Sequence, residues 1–111
     1  MLGFITSPKI RLQIEIFMSY LFDGKVIVPD GVLVRELAGE SVLLHLETES
    51  YFGLDEVGSR MWAVLTESPS IELAFETLAA EYEVEPGQLR SDLETYIQKL
   101  VELGLLRVDA A

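Results

Sequence analysis

The stretch VLVRELAGESVLLHLETESYFGLD, residues 32–55, decides the fold. Three runs rich in Val, Leu, Tyr and Phe, at 32–37, 41–47 and 50–54, read as short strands. The gaps between them, Ala38-Gly39-Glu40 and Thr48-Glu49, leave room only for an antiparallel meander. In the middle run Val42, Leu44 and Leu46 share a wholly apolar face, while Leu43, His45 and Glu47 share a mixed one. At Asp55 the apolar period changes from 2 to 3.6, and its carboxylate is placed to accept the free amide hydrogens of a first helical turn.

Downstream the helical period persists. Val57, Met61, Val64 and Leu65 share one face of a first helix. A second is expected after Ser68-Pro69, with proline at its first position and an apolar stripe of Ile71, Phe75, Leu78, Ala79 and Tyr82. A third opens at Glu85-Pro86, carries Leu89, Leu93, Tyr96, Ile97, Leu100 and Val101, and stops at Gly104. Leu105 to Val108 reads as an extended tail against the sheet. Strands first and three helices after them make an α+β domain with the outline of a winged helix-turn-helix.

Upstream, Lys9 to Ile16 alternates polar and apolar residues without a fault, the mark of a half-buried strand. That strand is expected to continue to Phe22 and turn at Asp23-Gly24, a two-residue hairpin dipeptide, into a returning strand at Lys25 to Val28. Pro29-Asp30-Gly31 is a further turn. The chain thus divides into an N-terminal β extension, 1–24, and a main domain, 25–111. Such regular alternation is seldom left exposed, so the extension is expected to add to a sheet edge or to join two chains as a homodimer. Lying along another part of its own chain, in the place of a bound strand, is the third use open to it.

Composition narrows the function. With 111 residues, half of them apolar, the chain is long enough to bury roughly 65% of its unfolded surface in one core. Nineteen Asp and Glu against eight Lys and Arg leave a charge of -11. Residues 26–111 hold five basic and seventeen acidic side chains, a surface that repels phosphate backbones and attracts basic peptides. Nucleic acid is therefore not an expected partner. The absence of Cys closes thiolate metal sites, disulfides and thiol catalysis, and the single His45 cannot supply paired imidazoles. No signal peptide opens the chain and no apolar run approaches the length of a membrane span, so a cytoplasmic protein without a membrane partner is expected.

No residue stands in a catalytic pattern. Glu47, Glu49, Asp55 and Glu56 read as a solvated surface, since acid catalysis needs a carboxyl held in an apolar pocket. Gly53 and Gly58 lack the spacing and the following Lys of a phosphate loop. Trp62 reads as core. We therefore expect no enzyme, no metal and no cofactor. The remaining chemistry lies in backbone. The run Ser50 to Leu54 is uncharged and aromatic, and it contains a glycine that permits close approach, so its edge suits an extended peptide.

From about Val28 onward the chain resembles the PqqD-like family, the recognition domains that bind leader peptides of ribosomally made, post-translationally modified peptides. The residues that carry the likeness are Val32 to Leu37 with Gly39-Glu40, Val42 to Thr48, Tyr51 to Gly58 with Trp62, and Glu102 to Leu106. The resemblance implies that a leader adds as a strand to the third strand, in a groove closed by the third helix. It implies binding through Tyr51, Phe52, Gly53 and Leu54 on the strand and Arg90, Leu93, Glu94 and Ile97 on the helix. The length suggests the stand-alone recognition proteins of lasso peptide clusters, which deliver a precursor to a separate leader peptidase. The alternatives are a chaperone presenting a precursor to a radical-SAM enzyme and a winged-helix transcription regulator. The last is disfavoured by a third helix with only Arg90 and Lys99 against Asp92, Glu94 and Glu102.

Overall fold

The computed structural model describes residues 21–109. The alternating segment 9–16, with its expected role as an edge strand or dimer arm, lies outside them. Eight elements follow in order: β1 (Lys25–Ile27), β2 (Val32–Leu37), β3 (Glu40–His45), β4 (Ser50–Leu54), α1 (Glu56–Glu67), α2 (Ile71–Glu81), α3 (Pro86–Glu102) and β5 (Arg107–Asp109). The meander β2–β3–β4 forms as expected, and three helices follow it.

Each helix begins where a side chain satisfies its free amides. Asp55 accepts from the Gly58 amide at 2.7 Å, and Glu85 accepts from those of Gly87 and Gln88. The second helix starts later than the sequence suggests. Ser70, not Ser68, is its cap, accepting from the Leu73 amide at 3.1 Å, so Pro69 precedes the cap instead of opening the helix. Gly104 ends α3 with φ at +75°, a left-handed stop that a side chain resists.

The hairpin expected at Asp23-Gly24 does not form. Leu21 to Asp23 are helical, and β1 pairs antiparallel with β5, Val26 opposite Val108. Gly24 serves another purpose: a Cβ there would stand 2.5 Å from the Asp109 carbonyl oxygen, and its own carbonyl accepts from the Ile71 amide at 2.8 Å. Glycine is needed because three segments converge on it. Of the tail expected against the sheet, Leu105 and Leu106 pack beneath the meander, while Arg107 to Asp109 pairs with β1 in a separate two-stranded sheet.

Among the described residues two apolar clusters form the core. One joins Phe22, Met61, Leu65, Ile71, Phe75, Leu78, Leu93 and Ile97, and Phe22 and Phe75 meet edge to face at 5.9 Å. The other lies beneath the meander and joins Val32, Leu43, Trp62, Leu100, Leu105 and Leu106. Phe22, although upstream of Gly24, is only 1% exposed within the first cluster.

Candidate functional site

The turn between β2 and β3 sets the geometry of everything beyond it. Ala38 and Gly39 have φ of +53° and +84°, the two positive values of a type I′ hairpin, and they make Leu37 and Glu40 the closing pair. Ladder hydrogen bonds alternate in an antiparallel sheet, so Glu40, Val42 and Leu44 turn their backbone groups toward β2, whereas Ser41, Leu43 and His45 turn theirs toward β4. The Leu46 amide keeps this parity, donating to the Gly31 carbonyl at 2.9 Å. In β4 it follows that Ser50, Phe52 and Leu54 face β3 with their backbone. Tyr51 and Gly53 direct their N–H and C=O groups to the other edge, where no strand pairs among the described residues.

One bridge anchors the far end of that edge. The Ser41 amide donates to Ser59 Oγ at 2.8 Å, and the Ser59 hydroxyl donates to the Leu54 carbonyl at 3.2 Å. A side chain of α1 thus stands between the ends of β3 and β4 and ties both to the helix.

Register also separates the faces. Val32, Val34, Ser41, Leu43, Phe52 and Leu54 lie on the inner face, and Leu33, Val42, Leu44, Tyr51 and Gly53 on the outer. Leu43 is fully buried while Tyr51 is 76% exposed. The wholly apolar face of β3 therefore points outward, and the mixed face makes the core. His45 is half-buried, with Nδ1 accepting from the Thr48 amide at 3.3 Å. A Cβ on Gly104 would stand 3.0 Å from its Nε2, so the imidazole packs where α3 ends.

Two contacts set α3 along β4. The Tyr96 hydroxyl donates to the Gly58 carbonyl at 2.7 Å, just past the end of β4. Gly104 meets His45, which pairs with Ser50 at its start. From Tyr96 to Leu103 the helix thus runs antiparallel to β4. Tyr96 and Leu103, seven residues apart and on one flank, pack into the cluster that also takes Phe52 and Leu54. Burial, reinforced by the negative charge of Asp55, pushes the Tyr96 hydroxyl pKa well above its ordinary value. Lys99, exposed, lies on the same flank.

The helix positions drawn from the resemblance sit elsewhere. Leu93 and Ile97 are 0% and 1% exposed, because the stripe that covers the core needs them there. Arg90 lies on the opposite flank, its guanidinium 4.2 Å from the Phe22 ring centre and 4.4 Å from that of Phe75, and it pairs with Glu72 at 3.1 Å. Glu94, one turn on from Arg90, has its carboxyl pKa raised by partial burial, an effect the Arg90 charge opposes. The structure thus brings Tyr51, Phe52, Gly53 and Leu54 together on one edge and sets the four helix positions apart from it. Tyr96 and Leu103 lie on a different flank, and their place in the cluster with Phe52 and Leu54 is decided by packing. Tyr96, a tyrosine placed in an otherwise aliphatic stripe, was the one available signal. Among the described residues no cluster of three or more His, Asp or Glu side chains is arranged to hold a metal ion.

The family model described as coenzyme PQQ synthesis protein D (PqqD) matches residues 40–106. A solved structure described as TbiB1 in complex with the TbiA(beta) leader peptide is 38% identical, covers 76% of this chain and 98% of its own, and superposes with a TM-score of 0.70. A second, described as lasso peptide synthetase B1 complexed with the leader peptide, is 22% identical over 75% of this chain and 98% of its own, with a TM-score of 0.69. At that identity it bears on the fold alone. No curated protein matches the chain.

Proposed function

The chain belongs to the PqqD family, and on that premise we propose that it captures the leader of a ribosomally made precursor peptide and delivers it to the enzyme that processes it, within lasso peptide biosynthesis. The observation that carries the reading is the free edge of β4. Tyr51 and Gly53 offer a ladder of donors and acceptors that no described strand pairs, beside an apolar wall, in a protein 38% identical to one whose solved structure holds a leader peptide.

In this reading the leader lies as a fourth strand against Tyr51, Phe52, Gly53 and Leu54. Side chains on one of its faces point toward the Tyr96, Lys99 and Leu103 flank of α3. Phe52 and Leu54 supply apolar contact, and the backbone supplies register without demanding one sequence. The chain itself forms and breaks no covalent bond. It raises the effective concentration of the leader at a partner, a leader peptidase or another modifying enzyme, making the next encounter nearly intramolecular. The charge of -11 favours leaders with basic residues. Catalysis of its own is no part of this role, and its place is the cytoplasm, where precursors are made.

The test is a titration of fluorescent leaders, the TbiA(beta) leader and those encoded by short reading frames beside this protein, against the wild type and Gly53→Pro. Proline removes an outward amide and fills the space an added strand needs. Micromolar binding by the wild type, weakened at least about tenfold in a folded variant, is expected from the loss of an edge hydrogen bond and its neighbours. Binding by none of the leaders overturns the reading.

A further inference from the structure

Among the described residues one side of α3 stands open. Val101 belongs to the apolar stripe of that helix, yet it is 41% exposed. It stands eleven residues beyond Arg90, about three helical turns, so it shares the Arg90 flank and lies away from β4. Between this flank and β5 runs a groove of about 550 Å³, lined by Leu21, Ile97, Val101, Glu102 and Val108 among others. Its lining is mainly apolar, and its volume is that of a pocket which in other proteins holds a small molecule.

We propose that this groove is the docking site for residues 9–18 of the same chain, folded back from Leu21. Three observations carry the proposal, and none of them depends on leader binding. The first is where the described chain starts. Phe22 is held in the core, 1% exposed, and Leu21 beside it already lines the groove. Twenty residues precede Leu21, and Ile14 is seven positions from it, at most about 25 Å of extended chain. The 17 residues of α3 span about 25 Å, so the whole groove is within reach.

The second observation is composition. Ile10 and Ile14 are four positions apart, a spacing that shares a face at the strand period and at the helix period alike. The segment therefore has an apolar side in either conformation. The third is charge. The first twenty residues hold Lys9 and Arg11 against Glu15, whereas Glu102 lines the groove and Glu94 stands seven residues before Val101 on the same flank. Tethering then selects this occupant over a second copy or a free ligand, because a segment joined to Leu21 by a few residues meets the groove at an effective concentration in the millimolar range. The family match covers residues 40–106 and leaves the segment out, so the packing is no part of what that match shares.

The chain has no cysteine, so two introduced thiols report a single proximity. In the full-length protein each of residues 9–18 is changed to Cys in turn and combined with Val101→Cys in the groove or with Tyr51→Cys on β4, both exposed positions. Disulfide formation under mild oxidation is followed by mass spectrometry. Bonds within one chain are expected from Ile10→Cys or Ile14→Cys to Val101→Cys, forming about tenfold faster than to Tyr51→Cys. Faster bonding to Tyr51→Cys places the segment on β4, disulfide-linked dimers place it on a second copy, and no bond to either leaves the groove to a small molecule or to solvent. Each of these three results overturns the proposal. Because a thiol trims the apolar side, urea unfolding of Ile10→Ser with Ile14→Ser, beside Lys9→Ser with Gln13→Ser, gives a second reading. The apolar pair is expected to shift the equilibrium about tenfold or more toward the unfolded chain, and the polar pair less than about threefold. Equal shifts overturn the proposal as well.

Discussion

On the inner face of the meander Val32, Leu43 and Phe52 pack toward Trp62 of α1 and Leu100 of α3. One residue along each strand, on the outer face, Leu33, Leu44 and Tyr51 make a row of comparable apolar size that stays open, with Leu33 38% exposed. Hydrophobicity is nearly the same on both sides, so it cannot be what selects the buried one. The selection comes from the helices, which follow the sheet in the chain and fold back onto a single face. What they leave uncovered is the face that adjoins the free edge, and there an apolar surface is available to a ligand.

The sharpest way to break this contrast is to truncate neighbours that differ only in face. Leu43→Ala should lower stability by about 2–5 kcal/mol in urea unfolding, because it leaves a cavity under packed helices. Leu44→Ala should cost less than about 1 kcal/mol, since its surroundings are half open. Equal costs would mean that the outer face is covered in solution, and the two faces would then be alike.

A second substitution tests what joins the sheet to the helical side. Ser59→Ala removes the acceptor of the Ser41 amide, in a residue only 3% exposed, and the donor to the Leu54 carbonyl. Thermal unfolding should report a loss of about 1–3 kcal/mol, the cost of unsatisfied buried groups. Leader affinity should fall with it, because the end of β4 is no longer pinned. A stability loss without a change in affinity would separate the anchor from the edge.

A smaller effect than at Ser59 is expected at Tyr96, which braces α3 against the start of α1. Tyr96→Phe should cost about 1 kcal/mol at neutral pH through its hydrogen bond to Gly58. The hydroxyl ionises above its ordinary value of 10.0 in the folded state. Between that value and the folded one the unfolded chain holds fewer protons, so wild-type stability falls as pH rises past about 10. The Phe variant should lack that component of the fall, which denaturant titrations at neutral and alkaline pH compare directly.

Much of this was legible in residues 32–55 and the periodic stretches after them. Short gaps forced a meander, Asp55 and Glu85 announced helix starts, and Ser50 to Leu54 stood out as an uncharged edge. Two readings went astray for one reason. Asp23-Gly24 has the composition of a hairpin turn, and Ser68-Pro69 that of a helix start. Local propensity is a weak prior where a distant segment competes, and here β5 claimed β1, Ser70 capped α2, and Gly24 was taken by the approach of Asp109.

The sequence by itself determined the order of strands and helices, the excess of acidic charge, the lack of thiol chemistry and the aromatic character of β4. All of these depend on neighbours in the chain or on counting. Only the tertiary structure decided which face of the meander is buried, which flank of α3 runs beside β4, and that Arg90, Leu93 and Ile97 serve packing while Tyr96 and Leu103 adjoin the edge. Those outcomes depend on which surfaces meet across tens of residues. An amphipathic pattern records that a face is apolar, and packing chooses its partner.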